Sequence, residues 1–116
     1  RFRYYFPISY NDMKGEMIRD LELVFIKLHV LHHSERGEVF GIGLMEELAR
    51  HGYRVGPGTL YPTLAKLESQ GLLSCERRTV NRKQRKYYRI TRAGRNLLKQ
   101  MRRKINELYR EVVEGL

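Results

Sequence analysis

Two of the chain's three prolines, Pro57 and Pro62, stand five residues apart at the start of a helical run of leucines. Proline has no backbone N–H and is tolerated without loss only in the first turn of a helix, so the pair limits where this helix can begin. Leu60, Leu64 and Leu67 recur at helical spacing and face a core. Gly56 to Gly71 therefore reads as one short helix, ended by Gly71. With Gly56 as the cap, Pro57 is first in the helix but Pro62 interrupts an internal hydrogen bond. With Thr59 as the cap, Pro62 falls in the first turn, where its missing N–H costs nothing, and this start is preferred. The opposite face carries Thr59, Tyr61, Pro62, Thr63 and Lys66, rich in hydroxyls and short of charge. Such a face suits a plain amphipathic surface helix, and it equally suits contact with base edges and phosphates.

The rest of the chain surrounds this stretch with recognisable elements. Residues 1–14 read as an aromatic N-terminal arm; the first residue is not Met, and Met13 would serve as a start, so the arm is either an added leader or authentic. Its aromatic content predicts packing on a neighbour. From Gly15 to about His33 a helix is expected, with Met17, Leu21, Val24, Leu28 and Leu31 in one stripe and Ile18, Phe25 and His32 widening it. So broad a stripe suits burial against its own domain and a second copy. Ser34 to Phe40 reads as a loop. Gly41 to Arg50 reads as a second helix with Ile42, Met45, Leu48 and Ala49 inward, stopped by Gly52.

After Gly71, Leu72–Thr79 and Arg85–Thr91 read as strands joined by a polar turn at Asn81–Gln84, with Tyr88 and Ile90 on one side and Arg85, Tyr87 and Arg89 on the other. Thr91 can cap a final helix to about Glu114. Along it Leu98, Met101, Ile105, Leu108 and Val112 are spaced 3, 4, 3, 4, a heptad seam suited to a helical dimer contact.

Charge says what kind of partner to expect. The 116 residues carry a formal net charge of +10, which points to an anionic partner, nucleic acid before a membrane surface. Thirteen of the cations lie between Arg77 and Asn106, an interval without a single Asp or Glu. Solvated faces normally mix signs, so this run reads as anion-binding. The most apolar stretch, Leu23–Leu31, contains Lys27 and His29 and is too short to span a bilayer. A lone cysteine, Cys75, excludes an internal disulfide and fits a reducing cytoplasm.

Helix, helix, helix, hairpin, long helix is the order of the winged helix-turn-helix, a mainly α fold with a small β-hairpin. The third helix then enters the major groove, and the wing tip presents Arg82, Lys83 and Arg85. In this order the residues resemble the PadR-type transcriptional regulators. The likeness rests on Pro57-Gly58-Thr59-Leu60-Tyr61-Pro62-Thr63-Leu64, Leu67-Glu68, Gly71-Leu72-Leu73, Arg85-Lys86-Tyr87-Tyr88-Arg89-Ile90-Thr91 and Ala93-Gly94, and covers roughly Gly15 to the C-terminus. It implies a homodimeric repressor of the compact form, with a winged-helix domain at 15–91 and a dimerisation helix at 92–116. It further implies Thr59, Tyr61, Pro62 and Lys66 at DNA from the helix, and Arg82, Lys83, Arg85 and Lys86 from the wing. Tyr61 has a competing place in the core, one position off the Leu60 stripe. Gly56 departs from the small hydroxyl residue common in relatives. The resemblance also implies that some members respond to small aromatic molecules, an effector this sequence does not name.

Enzyme chemistry fits poorly: there are two aspartates, no carboxylate pair and no phosphate loop. His29 and His33 are four apart with His32 beside them, but without a Cys or carboxylate placed to complete a site they read as surface or interface histidines. No cofactor or metal is assigned. Cys75 near the wing's cations is a redox-sensor candidate and, more simply, a small buried residue. The rival function is a basic RNA-binding or ribosome-associated protein, which calls for aromatic stacking on a sheet, where Tyr87 is the credible exposed ring.

Overall fold

The computed structural model describes residues 13–116. The N-terminal arm expected over 1–14 lies outside the described residues up to position 12, and Met13 and Lys14 already belong to the first helix.

Helix α1 (Met13–Arg36) runs past the stop expected near His33. The Ser34 hydroxyl donates to the Leu31 carbonyl at 3.0 Å and the Gly37 N–H to the His33 carbonyl at 3.2 Å. Its buried face differs from the expected stripe. Ile26, Val30 and Leu31 enter the core, with Phe25 and Leu28 half-buried beside them, while Met17, Ile18, Leu21 and Val24 are exposed. A 3.6-residue period marks an apolar face but not what covers it. From Met17 to Val24 the described apolar side chains of α1 stay outside the subunit's own core.

Strand β1 (Val39–Phe40) follows, where a loop is expected, and pairs with a strand nearly fifty residues later. Helix α2 (Gly41–Arg50) has the expected bounds but turns Gly41, Leu44 and Leu48 inward; Ile42 and Ala49 face out. It closes at Gly52, whose φ is +90°, with the Tyr53 N–H donating to the Leu48 carbonyl at 2.9 Å.

Helix α3 (Pro57–Ser69) corrects the preferred start. Gly56, not Thr59, is the cap, and Pro57 occupies the first turn. The Gly56 carbonyl accepts from the N–H groups of Thr59 at 3.1 Å and Leu60 at 3.0 Å. Pro62 is then inside the helix and leaves the Gly58 carbonyl without its i+4 donor. Gly58 is exposed, so water can take the place of that donor. The earlier start adds most of a turn and buries Leu60, Leu64 and Leu67 together.

Strands β2 (Leu73–Val80) and β3 (Lys83–Ile90) form an antiparallel hairpin, and the three-stranded sheet has the order β1-β3-β2. The turn is tighter than the four residues expected. Val80 pairs with Lys83, and Asn81 and Arg82 take positive φ of 51° and 65°, as the two-residue I′ hairpin turn requires. Tyr88 and Ile90 point into the core as expected.

Helix α4 (Arg92–Leu108) continues into a π-helical turn, Tyr109–Val113. Thr91 is its cap: the hydroxyl accepts from the Gly94 N–H at 3.0 Å and donates to the Gly71 carbonyl at 2.6 Å. The Thr91 N–H donates to the Leu72 carbonyl at 3.1 Å. Gly94 packs against this turn so closely that a methyl group on it would lie 2.7 Å from Cγ1 of Ile90 and overlap the Leu72 carbonyl oxygen. The end of α3 and the start of α4 are thereby locked together.

Candidate nucleic-acid interface

Two surfaces meet the chemical needs of a nucleic-acid reader, the outer face of α3 and the hairpin tip. On α3 the leucines are consumed by the core, which leaves Thr59, Tyr61, Pro62 and Lys66 exposed and Thr63 half-buried. Thr63 bonds back to the Thr59 carbonyl at 2.8 Å, tying up one hydroxyl. Tyr61 is 41% exposed, so it is not a core residue, but its ring is not free either. It lies over Gly41 at the start of α2, close enough that a Cβ there would fall 2.6 Å from the ring's Cζ.

The hairpin tip carries Arg82 and Lys83, both exposed, with Lys86 exposed farther down β3. None of the three has an acidic partner among the described residues. Arg85 differs: it is half-buried and its guanidinium sits 5.2 Å from the centre of the Phe40 ring. Of the wing cations assigned to DNA, it is the one already engaged.

The acid-free interval is not acid-free in space. Arg78 forms a two-pronged pair with Glu38, one prong at 2.8 Å, and bonds Glu76 at 2.7 Å. Arg89 lies 3.4 Å from Glu38, and Arg102 reaches Glu35 at 3.1 Å. The hydrogen bond from Arg78 holds the Glu38 carboxyl below its ordinary range, against the opposing pull of burial, and raises the guanidinium's own pKa. Three of the thirteen cations are thus neutralised by acids from α1, the β1 approach and β2. The tip is not.

Tyr87, the expected stacker of the rival reading, is half-buried. Its ring packs on Phe40 at 5.7 Å and takes the Arg78 guanidinium at 4.4 Å. No exposed aromatic platform remains on the described sheet.

On the proposed seam, Leu98 is 2% exposed and belongs to the subunit's own core, which removes it from any surface contact. Met101 is half-buried, and Ile105, Leu108 and Val112 are exposed, joined by Tyr109, Val113 and Leu116. Between α1 and α4 a cleft of about 410 Å³ is lined by Phe25, Leu28, His32, Tyr53, Leu98 and Arg102, among others. Arg102 bridges its rim to His32 at 3.1 Å. Cys75 is half-buried in β2 and packs against the core.

Known proteins match this arrangement. Residues 30–100 fit the family profile described as the Transcriptional regulator PadR-like family. The chain is 51% identical over 98 residues to Transcriptional regulator Rv3488 of Mycobacterium tuberculosis (strain ATCC 25618 / H37Rv), covering 84% of this chain and 92% of that protein. The crystal structure of a PadR family transcriptional regulator from Eggerthella lenta DSM 2243 superposes with a TM-score of 0.76 at 34% identity, over 90% of this chain and 93% of that one. A PadR-like transcriptional regulator from Bacillus cereus strain ATCC 14579 gives 0.70 at 26% identity, over 81% and 92%. Sequence, fold and element order agree that the chain belongs to the PadR-like family of transcriptional regulators.

Proposed function

We propose that this regulator acts as a homodimeric repressor on a pseudo-palindromic operator, with α3 reading bases and the wing holding phosphates. The observation that carries the reading is the contrast within one charge run. Arg78, Arg89 and Arg102 are paired to acids, whereas Arg82, Lys83 and Lys86 have no acidic partner among the described residues and stand exposed along the hairpin. Exposed cations on the turn (Arg82) and along the strand that leaves it (Lys83, Lys86) suit a phosphate backbone. Thr59, Tyr61, Pro62 and Lys66 supply hydroxyl, aromatic and cationic groups for base edges. The exposed apolar residues of α1 and α4, Met17, Ile18, Leu21, Val24, Ile105, Leu108 and Val112, support a second copy on that side. Two α3 helices would then enter successive major grooves about 34 Å apart. The α1–α4 cleft is the place for a small apolar effector whose release or capture would shift the dimer.

Fluorescence anisotropy of the full chain on duplex DNA, selected by footprinting across the genome, tests the reading. Affinity should fall steeply and log-linearly with salt. A flat salt dependence, or preference for single-stranded RNA in competition, would overturn it. The RNA-binding alternative has lost its stacking ring, because Tyr87 is occupied by Phe40 and Arg78.

A further inference from the structure

Away from the interface, the fold gathers histidines that are far apart in sequence. His29 and His33 lie one turn apart on α1, and His51 follows the last residue of α2. One donor nitrogen from each can be chosen so that all three lie within 4.8 Å of one another. The His29 and His51 rings stack at 4.9 Å, and both His29–His33 and His33–His51 stand at 6.1 Å. Glu47, one turn before His51 on α2, adds a carboxylate. Its Oε2 lies 3.9 Å from Nε2 of His33 and 3.7 Å from Nε2 of His51. These separations are too long for hydrogen bonds. Nε2 of His33 is buried without a hydrogen-bond partner among the described residues.

We propose that His29, His33 and His51, with Glu47 as fourth ligand, form a binding site for a divalent transition-metal ion of the zinc class. Sequence alone offers two of these ligands and no completing group; the α2 end brings in the other two. Plain ring packing leaves the buried Nε2 of His33 without a hydrogen-bond partner among the described residues. An ion at the centre of the four ligands would satisfy it. Three imidazoles and one carboxylate are a borderline donor set, suited to Zn(II), Co(II) or Ni(II) and poor for calcium or magnesium, which take oxygen ligands. Ligands at about 2.0–2.1 Å from a tetrahedral ion stand roughly 3.4 Å from each other, so the donors close by about 1.4 Å through side-chain rotation. Glu47 must also loosen its pair with Arg50.

Zinc binds imidazole through a deprotonated ring nitrogen, so uptake at this site should release protons and weaken as pH falls. His32 does not join the set, since its Nδ1 meets Arg102 on α4 at 3.1 Å. Two ligands come from α1 and two from the end of α2, so the ion braces these helices against each other.

The test uses untagged full-length protein stripped with chelator and titrated with Zn(II) against a chromophoric competitor. One ion per chain is expected, with a rise in the thermal midpoint. His33→Asn and His51→Asn should each weaken binding by about tenfold or more, while His32→Asn leaves it unchanged. Co(II) should give the visible bands of a tetrahedral site, and Mg(II) should not compete. No zinc uptake beyond the competitor, or wild-type affinity in folded His33→Asn, overturns the site. Should the variants fail to fold by circular dichroism, imidazole nitrogen shifts in the wild type decide. Zinc must move the signals of His29, His33 and His51 but not His32, and any other pattern refutes the assignment.

Discussion

The Tyr61 ring of α3 lies across Gly41 at the start of α2, leaving no room for even a methyl group on that glycine. A residue offered to DNA is thus also aimed by its neighbour helix. In Gly41→Ala the methyl group must push the ring aside. The far end of Tyr61 can swing toward solvent, so the stability cost should be about 1 kcal/mol, the low end for overpacking. Its effect on DNA should be larger and should match that of Tyr61→Ala. Anisotropy on an operator and a scrambled duplex checks this through a double-mutant cycle. Additive losses in Gly41→Ala/Tyr61→Ala would mean that the two positions act separately.

Wing and helix should fail in different ways. Arg82→Ala with Lys83→Ala should weaken all duplexes by a similar factor and reduce the salt slope by about 2. Arg78→Ala should change that slope less, because Glu38 and Glu76 already hold the guanidinium. Thr59→Ala should instead alter the ranking of operator variants. The reverse pattern would exchange the roles of α3 and the wing.

Acid should weaken the tie between Glu38 and the hairpin. Arg78 holds the Glu38 carboxyl below its ordinary value of 4.5 in the folded chain. On acidification the unfolded state therefore takes up the proton first, so this pair's stabilisation is present above about pH 4.5 and is lost as pH falls through the folded value. Thermal midpoints from about pH 6 to about pH 3 should fall less steeply for Glu38→Gln than for the wild type. Parallel curves for the two proteins would dissociate the pair from acid stability.

The apolar end of α4 can be tested without disturbing the core. Ile105→Glu should give a folded monomer by sedimentation equilibrium, since Ile105 is 40% exposed in the single chain. Leu98→Ala, seven residues earlier in the same heptad pattern and inside the core, should instead cost about 2–5 kcal/mol of folding stability. A dimeric mass for Ile105→Glu would rule out this face as the contact between copies.

Elements with local punctuation were legible in the sequence. Gly52 stopping α2, Thr91 capping α4 and the alternation of Tyr88 and Ile90 rest on signals within a few residues. What depended on distant partners was not. Val39–Phe40 looks like loop because its pairing residues, Tyr87 and Tyr88, are elsewhere in the chain. The α1 stripe reaches the core through Leu28 and Leu31, but periodicity alone does not show that Ile26 and Val30 join them while Met17 and Leu21 stay outside. Pro62 misplaced the start of α3, since one lost hydrogen bond at exposed Gly58 is a smaller matter than an extra turn anchored on Gly56. The candidate site divided likewise. Residue types on α3 and the wing could be read directly, but not the acids that silence Arg78, Arg89 and Arg102.

The Thr91 hydroxyl grips the Gly71 carbonyl at the end of α3 while holding the Gly94 N–H at the start of α4, and Gly94 sits hard against Leu72. These contacts tie the junction from both sides. If α4 joins two copies, the distance and angle between their reading helices are machined into each subunit like the jaws of a fixed-gauge caliper. An operator whose half-sites drift by a base pair would have to twist to fit, since the protein has no slack there to give.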